Sequence, residues 1–379
     1  MTDFAGGRIE AFVGPPELGA AHDLERAIVD FIGRAQVSLD IAVQELDSEP
    51  IAQAILDARA KGIRVRMFLE QDYLLSKKPP MIRRVGVETE AEAILRAQWT
   101  ELRRRRETRT NREILSALLR CAVDVKADLN PEIFHQKFIV RDVGRGPTAA
   151  LLSGSANFTD TDTHRNLNNV VVFHDPRIAA AYAKEFEQLR RGNFGRREHG
   201  DTPVTYNLGG IPVRVLFAPD HTPELEIVKQ MLKATERVDF AVFTFAGSSG
   251  IDDAMLILAA ARRKVRGALD PGQGIKKWAA TAWLDAGDIE LYFPRRRPEF
   301  GKLHHKVMVV DEAIVVAGSF NYTAPANEVN DENIFVLGSP YDLPPKKGGP
   351  VDHDRCAELA RFFRTEIDRI IEGSERYRP

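Results

Sequence analysis

Apolar and polar residues along this chain follow two alternating periods. Residues 8–13 alternate as a short strand, 22–34 carry the spacing of an amphipathic helix, and 36–43 place Val37, Leu39, Ile41 and Val43 on one face, as a strand does. Pro50 opens a predicted helix over 50–60, Gly62 closes it, and 63–69 is an apolar strand. This β-α-β-α-β order predicts a mostly parallel sheet flanked by helices. From residue 212 the order recurs: strand 212–217, helix 223–235, strand 238–245, helix 252–262, strand 264–269, helix 274–286 and strand 289–293. Helices predicted over 175–191 and 353–372 match one another as the closing helix of each half. The polar, glycine-containing stretch 192–210 reads as the boundary, dividing the chain into halves 1–200 and 201–379.

A charged segment near 86–120 breaks the rhythm of the first half. Leu39 precedes His135 by 96 positions, whereas its counterpart Phe240 precedes His304 by 64, so the first half carries 32 additional residues. The segment is helix-prone, with Arg103 to Arg106 in a row and Trp99 nearby. It reads either as a solvated helical excursion or as an arm that contacts nucleic acid.

The strongest signal is a repeated constellation. His135, Lys137 and Asp142 have the spacing H-x-K-x-x-x-x-D, and His304, Lys306 and Asp311 repeat it 169 positions later. Gly154-Ser155-x-Asn157 and Asn168 follow the first string; Gly318-Ser319-x-Asn321 and Glu332 follow the second, with Ser319, Asn321 and Glu332 each 164 positions after their counterparts. Constant offsets across two blocks mark an internal repeat. In a strand, residues two apart share a face, so each histidine and its lysine point together. Buried charge is costly unless paired, and a bound phosphate would pair it.

These doubled strings resemble the phospholipase D superfamily, and the likeness covers both halves. The resemblance implies two similar α/β halves, each a mostly parallel mixed sheet flanked by helices, related by a pseudo-two-fold axis. It implies a covalent phosphohistidine intermediate with neither metal nor other cofactor. The expected catalytic residues are His135, Lys137, Asp142, His304, Lys306, Asp311 and Glu332, although Asp142 and Asp311 fall past the strand ends and can equally brace a turn. Ser155, Asn157, Asn168, Ser319 and Asn321 are expected around the substrate. The first half departs from the family pattern in having Asn168 where an acidic residue is expected, which reads either as a partly decayed site or, the preferred reading, as a division of labour. With Glu332 beside His304 and Asn168 beside His135, a carboxylate would favour one imidazolium and an amide would not, making His135 the nucleophile and His304 the general acid. The tyrosyl-DNA phosphodiesterases, some relatives in the superfamily, similarly pair a first-half amide with a second-half carboxylate. His305 alternates away from His304 and reads as structural.

Composition narrows the partners. Net charge is −2, so no global field draws in nucleic acid or an anionic membrane, and basic surface must be local. Arg295, Arg296 and Arg297, seven to nine residues before His304, are the candidates to line a substrate groove. Cys121 and Cys356 form no metal spacing, and no apolar run is long enough to span a membrane. A cytoplasmic nuclease acting on DNA or RNA is the leading expectation, with a helicase-like protein partner left open. A phospholipase or cardiolipin-synthase-like enzyme, and a catalytically silent nucleic-acid-binding module, are the alternatives.

Overall fold

The computed structural model describes residues 2–71, 109–128, 132–195, 201–344 and 348–379. Among them, two mixed sheets form, one of eight strands and one of nine. The first runs, in spatial order, Thr2–Phe4, Ile9–Gly14, Asn168–Phe173, Ala150–Gly154, Lys137–Arg141, Ser38–Val43, Arg64–Leu69 and Asp124–Ala127. The second repeats that order with Thr205–Leu208, Ile211–Ala218, Glu332–Leu337, Ile314–Gly318, Lys306–Val310, Arg237–Val242, Lys264–Leu269 and Glu290–Pro294, then adds Ser374–Arg376 at its edge.

The expectation of mostly parallel sheets needs correcting. Among the described strands of the sheets, parallel pairs join Ser38–Val43, Arg64–Leu69 and Asp124–Ala127 and their second-half counterparts, and the other pairs are antiparallel. The cause is connection length: helices join the parallel strands, whereas each motif strand reaches the next through a short turn, which forces antiparallel pairing. The helix expected over 274–286 splits into Pro271–Gly274 and Thr281–Ala286. Gly272 and Gly274 weaken it, and the backbone between the pieces is taken by Ala279 bridging Ala246 and Ala280 N–H donating to Phe245 O. Of the charged segment near 86–120, the end is the helix Arg109–Arg120; Trp99 and Arg103 to Arg106 lie outside the described residues.

The two halves share one core. Phe173 and Phe335 meet edge to face with centroids 5.3 Å apart, and Tyr182 and Phe217 do so at 4.9 Å. Both pairs bring together residues from the two halves within one continuous buried cluster, while the other face of each sheet packs against its own helices. Motif strands are therefore covered on both sides, and all residues of Lys137–Arg141 and Lys306–Val310 are buried. Equivalent ion pairs tie each closing helix down: Arg66 bridges Asp40 and Glu187 on Pro176–Arg190, and Arg266 bridges Asp239 and Asp368 on His353–Glu372.

Candidate active site

The segment before each motif histidine pairs with the other half. Phe134 bridges Asp331, so His135 N–H donates to Asp331 O at 3.0 Å; Leu167 bridges Leu303, so His304 N–H donates to Leu167 O at 2.9 Å. A carboxylate at the end of the neighbouring strand steadies each segment, Glu70 accepting from Phe134 N–H and Asp270 from Leu303 N–H. These bridges carry the residue after Asp331 to His135 and the residue after Leu167 to His304.

The histidine partners are thus exchanged relative to the sequence expectation. Glu332 Oε2 lies 2.7 Å from His135 Nδ1, and Asn168 Oδ1 lies 3.0 Å from His304 Nδ1. Glu332 is therefore beside His135 and Asn168 beside His304, because the cross-half bridges override sequence proximity. Both rings keep Nε2 for chemistry. Ser319 donates to Glu332 at 2.5 Å and Ser155 to Asn168 at 2.8 Å, so each serine steadies the acceptor of a histidine ring, and neither serine nor Asn168 is part of the wall of the cavity that the rings share.

Both rings line one cavity of about 460 Å³, to which Gln44, Asn157 and Asp162 of the first half and Phe243, Lys302 and Asn321 of the second also contribute. Asn157 and Asn321 occupy matching places on its wall, as the repeat predicts. Lys137 and Lys306 lie behind the histidines, each Nζ donating to its own histidine's carbonyl, at 2.8 and 2.7 Å. Burial pushes Lys137 down to about 8 and Lys306 well below the ordinary lysine value, the second lysine adding repulsion at Lys306. Burial also drives His135 and His304 well below the usual imidazole value, with the two lysines next in effect. Burial raises Glu332 to about 8 against the pull of Lys137.

Asp142 and Asp311, expected to be catalytic, are braces. Asp142 accepts N–H bonds from Gln36, Val37 and Ser38, and Asp311 from Thr235, Glu236 and Arg237. Each caps the far end of its strand, away from the cavity. The arginine run does not line the cavity either: Arg295, Arg296 and Arg297 are exposed, Arg295 pairs with Glu375 at 3.5 Å, and Arg297 reaches Leu18 O. Lys302, farther along the same connection, takes the cavity position. His305 is fully buried on the opposite face and accepts from Asn169 Nδ2 at 2.9 Å, a structural role.

Asp162 was missed. It lies 3.6 Å from His304 Nδ1, yet its counterpart in the repeat is Ala326, so comparing the halves gives it no duplicate. Among the described residues no group of three His, Cys, Asp or Glu side chains could hold a metal ion, and no helix is long and apolar enough to cross a membrane.

The family model described as cardiolipin synthase, PLD-like domain, matches residues 28–190 and 227–343. The chain is 31% identical over 182 residues to mitochondrial cardiolipin hydrolase of Xenopus laevis, covering 48% of this chain and 64% of that protein. It is 24% identical over 166 residues to phospholipase D of Rickettsia conorii, covering 44% and 64%. The chain spans under two thirds of the length of these curated relatives. The phosphatidylserine synthase structure from Haemophilus influenzae superposes with a TM-score of 0.62 at 12% identity, over 98% of this chain and 87% of that one, a likeness of fold. With its family model matched across both halves, the chain belongs to the phospholipase D-like family.

Proposed function

We propose that this chain hydrolyses phosphodiesters of nucleic acid without metal, His135 attacking phosphorus and His304 protonating the leaving oxygen. One observation carries the reading: two histidines on one cavity, each fixed through Nδ1 by the opposite half, so that both Nε2 atoms are available to a single phosphate. Attack by Nε2 places positive charge on the nucleophile's ring, and a carboxylate on its Nδ1 stabilises that charge as the bond to phosphorus forms. Glu332 does this for His135. An acid must release its proton, and the neutral amide of Asn168 holds His304's ring without opposing that release. The exchanged partners remove the sequence-based reason for these roles, and the carboxylate on His135 favours attack by His135 for a different one. Water then attacks the adduct, with His304 as base.

A nucleic-acid substrate is supported by the cavity wall, where polar side chains outnumber Ile133, Phe243 and Pro325. A phospholipid substrate is the second reading, favoured by the names of the curated relatives. Labelled DNA, labelled RNA and cardiolipin vesicles incubated with the protein in EDTA test both. Nucleic-acid cleavage in EDTA is expected. Activity restored only by Mg²⁺ or Mn²⁺ would overturn the mechanism, and consumption of vesicles alone would overturn the substrate.

A further inference from the structure

The repeat makes a difference in charge visible. At two matched positions, the first half has Asp162 and Asn168 where the second has Ala326 and Glu332. One carboxylate is present in each pair, but it has moved by six residues. The move does not separate it from a histidine. Asp162 Oδ2 is 3.6 Å from His304 Nδ1, the nitrogen that Asn168 holds at 3.0 Å.

Asp162 is built into the site. It is 3% exposed; Oδ2 accepts from Asn157 N–H at 2.6 Å and Oδ1 accepts from Asn166 Nδ2. Its own N–H donates to Thr159 Oγ1, and its carbonyl accepts from Asn168 Nδ2 at 2.9 Å, so the amide and the carboxylate belong to one hydrogen-bonded knot. Lys306, Lys137, His135 and Lys302 all oppose a positive ring on His304, and the carboxylates of Glu45 and Asp47 line the same cavity as Asp162. Asp162 supplies the opposing charge, next to the nitrogen that Asn168 already holds.

We propose that Asp162 is the positioning carboxylate of His304, steadying its imidazolium form before donation, as Glu332 serves His135 from the other half. The arrangement divides the labour: Asn168 sets the ring's direction and Asp162 sets its charge, without a direct carboxylate bond that would hold the proton back from the leaving group. This deepens the phosphodiesterase reading and rests on it for the direction of proton transfer.

Histidine-labelled full-length protein with inorganic phosphate bound, titrated by NMR, tests it, the His304 signal being assigned by its loss in His304→Gln. In Asp162→Asn the His304 midpoint should fall by about one pH unit or more. The alkaline limb of EDTA-resistant cleavage should fall with it, and esters with poor leaving groups should suffer most. Asp162→Asn/Asn168→Asp should restore the midpoint. An unchanged midpoint in a variant that melts like the unaltered chain would overturn the proposal. If Asp162→Asn does not fold, Asn168→Asp alone decides: a small rise fits a charge already supplied, and a rise of a full unit overturns it. Absence of all cleavage by the unaltered chain would remove the phosphodiesterase reading, while the titration would still decide whether Asp162 sets the charge of His304.

Discussion

Glu332 of the second half lies 2.7 Å from the ring of His135 in the first. The proposed nucleophile and its carboxylate partner are thus 197 residues apart in sequence and joined only by the fold. Substituting Glu332→Gln should lower the rate of adduct formation about 100-fold, within the usual range for losing an electrostatic catalytic contact. Because Gln still orients the ring, substrate KM should change little. Single-turnover kinetics separates the two effects.

The histidines should fail differently. His135→Ala should form no adduct. His304→Ala should form it slowly and then accumulate it, since the base for water attack is gone. Acid-free trapping and mass spectrometry locate the phosphate, and its appearance on His304 would reverse the assigned roles.

Lys302 should carry more substrate affinity than the arginine run before it, since Lys302 lines the cavity while Arg295 pairs with Glu375 at an exposed edge. Lys302→Ala should weaken nucleic-acid binding and reduce its salt slope by about one, as expected for one phosphate contact. Arg295→Ala/Arg296→Ala/Arg297→Ala should have the smaller effect in a salt series of binding isotherms.

The braces should matter to stability and not to chemistry. Asp142→Ala leaves three main-chain N–H groups without their acceptor and puts alanine at φ +53°, costing about 3 kcal/mol or more by denaturant titration. Asp311 titrates below the usual carboxylate range because its N–H donors outweigh burial, which acts the other way. Its contribution is therefore fully present above about pH 4, the unfolded value, and is lost as pH falls through its lower folded value. Asp311→Asn should be less stable than the unaltered chain at pH 6, with the gap closing as pH falls through the lowered folded value.

Close strand contact behind the site gives a further test. A Cβ on Gly154 would stand 2.2 Å from Asn169 O, and one on Gly318 would stand 2.3 Å from Asn333 O. Asn169 and Asn333 hold His305 and Gln136, the residues next to the catalytic histidines. Either Gly→Ala change should destabilise by about 2–3 kcal/mol, as overpacking does, and lower activity in the remaining folded protein. Melting curves and activity on the same samples check both.

Much of this was legible in the sequence. The repeat identified both histidines, both lysines and the two cavity asparagines, because spacing of two on a strand fixes a shared face. The closing helix His353–Glu372 coincides with the apolar period over 353–372. What escaped depends on long-range pairing. No spacing within a half could show that Phe134 bridges Asp331, and so the partners of the histidines were exchanged. Asp162 escaped because a comparison of halves finds what is duplicated, and Ala326 is no duplicate. Arg295 to Arg297 were misplaced because a run of charge says nothing about the direction in which its connection turns.

The core common to the two sheets bears on how the molecule comes apart. Tyr182 rests on Phe217 and Phe173 on Phe335, so separating the halves exposes aromatic surface on both. Such surface makes cooperative units merge: heat or denaturant should produce one transition, with calorimetric and van't Hoff enthalpies in agreement, where two independent lobes would give two. Turnover measured with the halves cross-linked across this core should then match that of the unaltered chain, because no opening between them is expected.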